Sequence, residues 1–325
     1  LSEHGQVLFL SHGGGPLPLL GDAGHRQMVE ALHAIAARLR PPSAILVISS
    51  HWEAAVPTLT AGPRPPLIYD YVGFPPEPYE IQYPCAGEPQ LAGRIQVVLQ
   101  RGGMPAVLDA SRGFDHGMFV PLKILFPEAR IPCVQLSLLK SLSPAEHLAL
   151  GRQLGGLAEE NLLVIGSGFS FHNLPEFFRP GIGPDPGNMA FEAWLRDTCS
   201  NANLSEAERE QRLLHWDRAP PRPPLPPAGG APAAAACVLR AGPAALQRVA
   251  GGSDPEQAGR HGAVAVGGAA GESRGADRRT DARRRFTFCY DRLNTPKSPW
   301  LTPPPASVSS PSRKPGTAAW PCSGS

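Results

Sequence analysis

Four short runs of aliphatic residues constrain this chain more than any other feature: Gln6–Leu10, Ala44–Ser49, Ile131–Leu138 and Asn161–Ile165. Each is brief, rich in Val, Ile and Leu, and bounded by turn residues, the pattern of buried strands. Between them, His25–Leu39, Gln90–Gln100, Pro144–Leu157 and Asn188–Cys199 carry apolar residues at helical spacing. Ser143 before Pro144 reads as an N-cap followed by proline at the first helical position. Alternation of this kind predicts an α/β fold, a single domain whose central mixed or mainly parallel sheet is flanked by helices. No internal repeat is visible.

The alternation stops near residue 218, and composition changes there. Of the 39 prolines, 22 lie in residues 1–218 and 17 in the remaining 107. Residues 1–218 carry 16 Lys/Arg against 22 Asp/Glu, whereas residues 219–325 carry 14 against 6. The chain therefore divides into an acidic body, 6–218, and a basic Pro/Ala/Gly/Arg-rich tail, 219–325, expected to be disordered. No apolar run approaches the roughly 20 residues of a membrane span, and Val7–Leu10 is too short for the core of a signal peptide. The six cysteines are far apart with no C-x-x-C pair. This argues against a disulfide scaffold or a cysteine zinc site, and for a reducing, cytoplasmic setting.

Histidine placement carries the chemistry. His12 follows the first strand within Ser11-His12-Gly13-Gly14-Gly15-Pro16, and His51 follows the second within Ser50-His51-Trp52-Glu53. His172 comes shortly after the Asn161–Ile165 strand, beyond Gly166-Ser167-Gly168. Open α/β sheets bind ligands beyond the carboxyl ends of their strands, and three imidazoles delivered to one such edge can converge on a divalent metal. A single histidine is more often a packed structural residue; three at one topological position favour a metal. Gly13–Gly15 lacks the spacing and the Lys-Ser/Thr of a phosphate loop. His116, in Gly113-Phe114-Asp115-His116-Gly117, reads as an exposed loop residue, the type that serves as general acid or base, although taken alone a loop histidine hydrogen-bonded to nearby backbone is the stronger reading. His25, His33 and His147 fall in helical patterns and read as solvent-facing or at the core edge. The Pro- and aromatic-rich segment 61–89 is long enough to suggest a functional loop, with a surface insertion packed by its own aromatics as the equal alternative.

Five motifs then occur in order: Ser11-His12-Gly13-Gly14-Gly15-Pro16; Ser50-His51-Trp52-Glu53; Tyr69-Asp70-Tyr71 with Gly73-Phe74-Pro75; Phe114-Asp115-His116-Gly117; and Gly166-Ser167-Gly168 with His172-Asn173-Leu174. Together they resemble the DOPA-dioxygenase type of class III extradiol ring-cleavage dioxygenases, relatives of the protocatechuate 4,5-dioxygenase B subunit, over roughly residues 6–218. The resemblance implies a metal-dependent enzyme that opens the ring of a catechol-type small aromatic (DOPA-like) with O₂. It implies His12, His51 and His172 as metal ligands and His116 as the catalytic acid/base histidine. One divalent metal is implied: non-haem Fe(II) suits the oxygen chemistry, while Zn(II), often described for this subgroup, has no redox chemistry of its own. A non-catalytic metal- or ligand-binding protein of the same fold, like the Memo proteins, is the alternative.

The chain departs from that family after His215-Trp216. A motif of the form His-Pro-Arg-Glu-Glu-His-Leu-Leu-Pro-Leu-His, which completes the family's metal site, is missing. The genetic code offers a reason. Read from the second base of each codon, all sixteen shifted codons from Pro226 through Ala241 can encode that string followed by Ala-Cys-Tyr-Gly-Leu. Residues from about 219 onward are therefore expected to be an out-of-frame translation of a GC-rich gene, with weakened metal affinity and little turnover as the result. A nucleic-acid-binding arm is the competing reading of Arg278-Arg279 and Arg283-Arg284-Arg285. Without interleaved aromatics to stack on bases, no nucleic-acid partner is expected.

Overall fold

The computed structural model describes residues 6–157, 161–169 and 186–220, with short backbone stretches at 248–249 and 266–267. The four aliphatic runs form four consecutive strands of a six-stranded sheet, from one edge inward. These are β1 (Gln6–Leu10), β2 (Ala44–Ala54), β7 (Cys133–Leu139) and β8 (Leu162–Ser167). With β3 (Thr58–Thr60) and β5 (Val107–Asp109) the order is β1-β8-β2-β7-β3-β5. The first four strands run parallel, and β3 pairs antiparallel to β7 while β5 follows β3. The sheet is therefore mixed and mainly parallel, as the alternation predicts. A two-stranded parallel pair joins β4 (Leu67–Ile68) to β6 (Phe114–Asp115), and β9 (Arg248–Val249) pairs antiparallel with β10 (Val266–Gly267).

Successive side chains of a strand face opposite sides, so each central strand feeds two cores. On one face Val7, Phe9, Leu46, Ile48, Leu136 and Val164 pack against α2 (Pro89–Arg101), α4 (Pro144–Leu154), α5 (Pro186–Ser200) and α6 (Glu206–Leu214). On the other, Leu8, Leu10, Ile45, Val47, Leu163 and Ile165 pack against α1 (Arg26–Ala36) and α3 (His116–Leu125). Each fully buried Leu or Ile contributes on the order of 1.5–3 kcal/mol. Local signals start the helices: Ser143 caps α4 by accepting the Glu146 N–H, and Ser205 and Glu208 form a reciprocal capping box on α6. No described helix is long and apolar enough to cross a membrane.

Three expectations are corrected. His51 lies inside β2, because that strand runs on to Ala54 through a register shift against β7. The Gly-flanked segment at His116 is no exposed loop: β6 leads directly into α3, and His116, 5% exposed, is its first residue. His25 and His147 are buried and hydrogen-bonded, whereas His33 is exposed.

Candidate metal centre at the carboxyl rim of the sheet

Serines stand at the rim on three of the parallel strands: Ser11 directly after β1, Ser49 within β2 where its regular pairing with β8 ends, and Ser167 at the end of β8. Small hydroxyl residues there let the chain turn without a bulky side chain filling the crevice. After β1 the chain makes a sharp glycine turn. Gly13 sits at φ +78°, and a Cβ on it would come within 2.4 Å of Pro18 and 2.8 Å of His25, so only glycine fits. His25 braces this turn. Its Nδ1 meets Asp22 Oδ2 at 2.7 Å, and its Nε2 accepts the Gly14 N–H at 2.9 Å. Burial outweighs the nearby carboxylate and lowers the His25 pKa, in keeping with a neutral ring that accepts.

The turn delivers His12, 1% exposed, to the rim. His51 arrives from the irregular part of β2 and His116 from the start of α3. One donor nitrogen from each ring lies within 4.8 Å of the other two. His12 Nε2 and His51 Nε2 are 3.0 Å apart, and the rings of His51 and His116 are 4.0 Å apart at their centroids. His172 lies outside the described residues.

Asp70 organises two of the three rings, and reading the residues alone gave it no role. Its Oδ1 accepts from His116 Nδ1 at 2.7 Å and from the His116 backbone N–H at 3.0 Å, while Oδ2 is 3.4 Å from His51 Nδ1. Burial pushes the Asp70 carboxyl up, but the His116 hydrogen bonds and the His116 and His51 charges outweigh it and hold it at about 2. A carboxylate on Nδ1 fixes the ring tautomer and leaves Nε2 for a ligand. The Nε2 atoms of His51 and His12 face each other at 3.0 Å, so a proton or a metal ion must lie between them. The residues therefore fit a divalent ion, and His12, His51 and His116 offer it imidazole nitrogens.

Beneath them, Asp115 is fully buried. Ser49 Oγ donates to its Oδ1 at 2.7 Å, and the Gln135 side-chain amide and Arg112 (3.3 Å) reach Oδ2. Burial, and then the Asp70 charge, raise the Asp115 pKa despite those donors. Arg112 also lies 4.2 Å over the Trp52 ring. Segment 61–89 does both things considered for it. It delivers Asp70, and its Tyr69, Tyr71, Phe74 and Tyr79 pack on one another, with Tyr71 5.8 Å from His116 at ring centroids. Phe169 sets its edge against His12 at 5.1 Å. The rim is thus a polar nest walled by aromatic rings.

A family profile described as the catalytic LigB subunit of aromatic ring-opening dioxygenase matches residues 6–217. The chain belongs to this family of class III extradiol dioxygenases. Among curated relatives of this dioxygenase family, a protein named dioxygenase tasH from Hapsidospora irregularis is 49% identical over 177 residues, 52% of this chain and 55% of that protein. The chain thus spans about half the length of that relative. A 4,5-DOPA dioxygenase extradiol from Beta vulgaris is 36% identical over 224 residues, 67% of this chain and 82% of that one. Its namesake in Escherichia coli K12 is 39% identical over 169 residues, 52% of this chain and 60% of that one. The crystal structure of the uncharacterized protein JW3007 from E. coli K12 superposes with a TM-score of 0.61 at 27% identity, covering 81% of this chain and 97% of that one.

Proposed function

We propose that this chain, like the relatives named for 4,5-DOPA, opens the ring of a catechol-type small aromatic beside one hydroxyl, with both atoms of O₂ entering the product. The observation that carries this reading is the convergence of three imidazoles within 4.8 Å at the carboxyl rim, two of them held through Nδ1 by Asp70. Of these rings His12 and His51, together with His172, are the proposed metal ligands, and His116 is the ring that stands beside the ion to move a proton. Bound there, an Fe(II) ion supplies chelation of both catechol oxygens and the redox step with O₂, which a zinc ion cannot provide.

The protein's residues do the rest. Asp70 keeps the His116 Nδ1 proton in place, so Nε2 is the atom that takes a proton from the catechol hydroxyl and returns it later. The walls formed by Tyr71 and Phe169 exclude water and present ring faces and edges to a planar substrate. The setting is cytoplasmic, in keeping with the free cysteines Cys85, Cys133 and Cys199.

The family match ends at residue 217. We read the following residues as out of frame and this polypeptide as weak in metal affinity and turnover. The test is oxygen uptake with DOPA on iron-reconstituted protein, comparing the chain as written with one carrying the shifted string from Pro226 onward. Restored uptake in the second chain alone is the expected result; equal rates overturn the frame reading. Loss of ring opening in His116→Ala with metal retained supports the enzyme. An inert substitution, with metal bound and no uptake in either chain, favours the binding-only alternative.

A further inference from the structure

Ser167 is 0% exposed at the end of β8, in register with Leu10 of β1 on one side and Ser49 of β2 on the other. Its Oγ makes two contacts. It donates to the carbonyl of Gly117, in the first turn of α3, and it lies 3.0 Å from His12 Nδ1. A carbonyl only accepts, so the single hydroxyl proton of Ser167 points at Gly117. Ser167 can then only accept from His12, which requires the proton of that ring to sit on Nδ1 and leaves Nε2 as the basic nitrogen.

We infer that Ser167 is a positioning residue that locks the His12 tautomer and ties it to the helix start carrying His116. Asp70 fixes the two other rings through a charge. His12 has a neutral hydroxyl instead, so its ring is oriented without adding negative charge to the centre. The neighbouring hydroxyl works in parallel. Ser49 donates to the Asp115 carboxylate, the residue before His116, so two adjacent strands hold the residues on either side of His116 at the α3 start. Turning the His12 ring therefore forfeits its bond to Ser167, and a shift of the His116 helix start would release the Ser167 proton whose direction fixes the His12 tautomer.

The inference uses the reading of His12 as a metal ligand, but its first test does not. In the full-length, metal-free chain with ¹⁵N-labelled histidine, ring-nitrogen NMR shifts report which nitrogen is protonated. His12 is expected as the Nδ1–H tautomer near pH 8; an Nε2–H form in the unsubstituted chain overturns the inference whatever the protein's activity. Ser167→Ala should mix the two tautomers and weaken binding of Zn²⁺ alone roughly 10–100-fold, with Ser167→Thr restoring much of both. A Ser167→Ala protein that melts at lower temperature but keeps the tautomer and the zinc affinity shows a merely structural role, and this too overturns it. Failure of ring opening with the tautomer shift intact would instead count against the dioxygenase reading.

Discussion

At the sheet rim, carboxyls are met by donors: the buried Asp115 receives Ser49, Gln135 and Arg112, and the more exposed Asp70 receives the His116 ring and backbone. In α5, Glu192 is also buried, at 6% exposure, yet its Oε1 has no hydrogen-bond partner among the described residues, and neither does the buried hydroxyl of Thr198 in the same helix. Both regions bury ionisable groups, but at the rim both carboxylate oxygens of the buried acid are met, and the atom left without a partner among the described residues is Arg112 Nε rather than a carboxylate oxygen. The rim draws its donors from two strands, the Arg112 loop and a helix start, whereas α5 and α6 are the last helices before the family match ends at residue 217. A functional network is thus built from residues far apart in the chain, while the helical layer bears the cost of a polar residue left uncompensated.

The largest effect should come from the uncompensated side. Burial pushes the Glu192 carboxyl up to about 7 from its ordinary 4.5, with Arg196 only partly offsetting it. Between those values the folded chain keeps a proton that the unfolded chain has released, so stability falls as pH rises through this window, by about 3 kcal/mol. Glu192→Gln should remove that loss. Its urea midpoint should match the parent at pH 5 and exceed it at pH 8, with metal binding unchanged. A parent-like decline would show that the two regions do not differ as described.

On the rim, Asp70→Asn should lower metal affinity or ring-opening rate roughly 10–100-fold while moving the melting temperature little, since the side chain orients rings rather than filling core. Smaller again is Gly117→Ala. Its Cβ would lie 2.4 Å from Ser49 Oγ and 3.1 Å from the His51 ring, and Ser49 is already committed to Asp115. Overpacking of this kind costs about 1–3 kcal/mol, readable as a shift of the denaturant midpoint. Ser205→Ala breaks the capping box of α6 and should cost about 1 kcal/mol, with no change in metal binding.

The sheet was legible because its four adjacent parallel strands carry aliphatic runs, and α1, α2, α4 and α5 because they show helical spacing. Helix α3 was not, for a physical reason. Met118, Phe119, Val120, Leu122, Ile124 and Leu125 are all buried, so the helix has no polar face and no amphipathic period to read, and Pro121 within it suggests a break. Helix α6 was passed over although Ser205-x-x-Glu208 was a usable sign. In the site, strand-end position identified His12 and, within two residues, His51. Asp70 stood in a quoted motif without a role, since its partner His116 is 46 positions away and no local pattern encodes that distance. Ser167 was hidden similarly, 155 residues from His12.

Between Ile48 and Glu53, β2 advances five residues while β7 advances two, from Leu136 to Leu138. The excess is odd, so this stretch also works as a parity switch. Removing one residue from it would exchange the sides to which everything downstream points, including His51 or Trp52, depending on where the cut falls. Length variation among related chains should therefore avoid this stretch, even where single substitutions are tolerated.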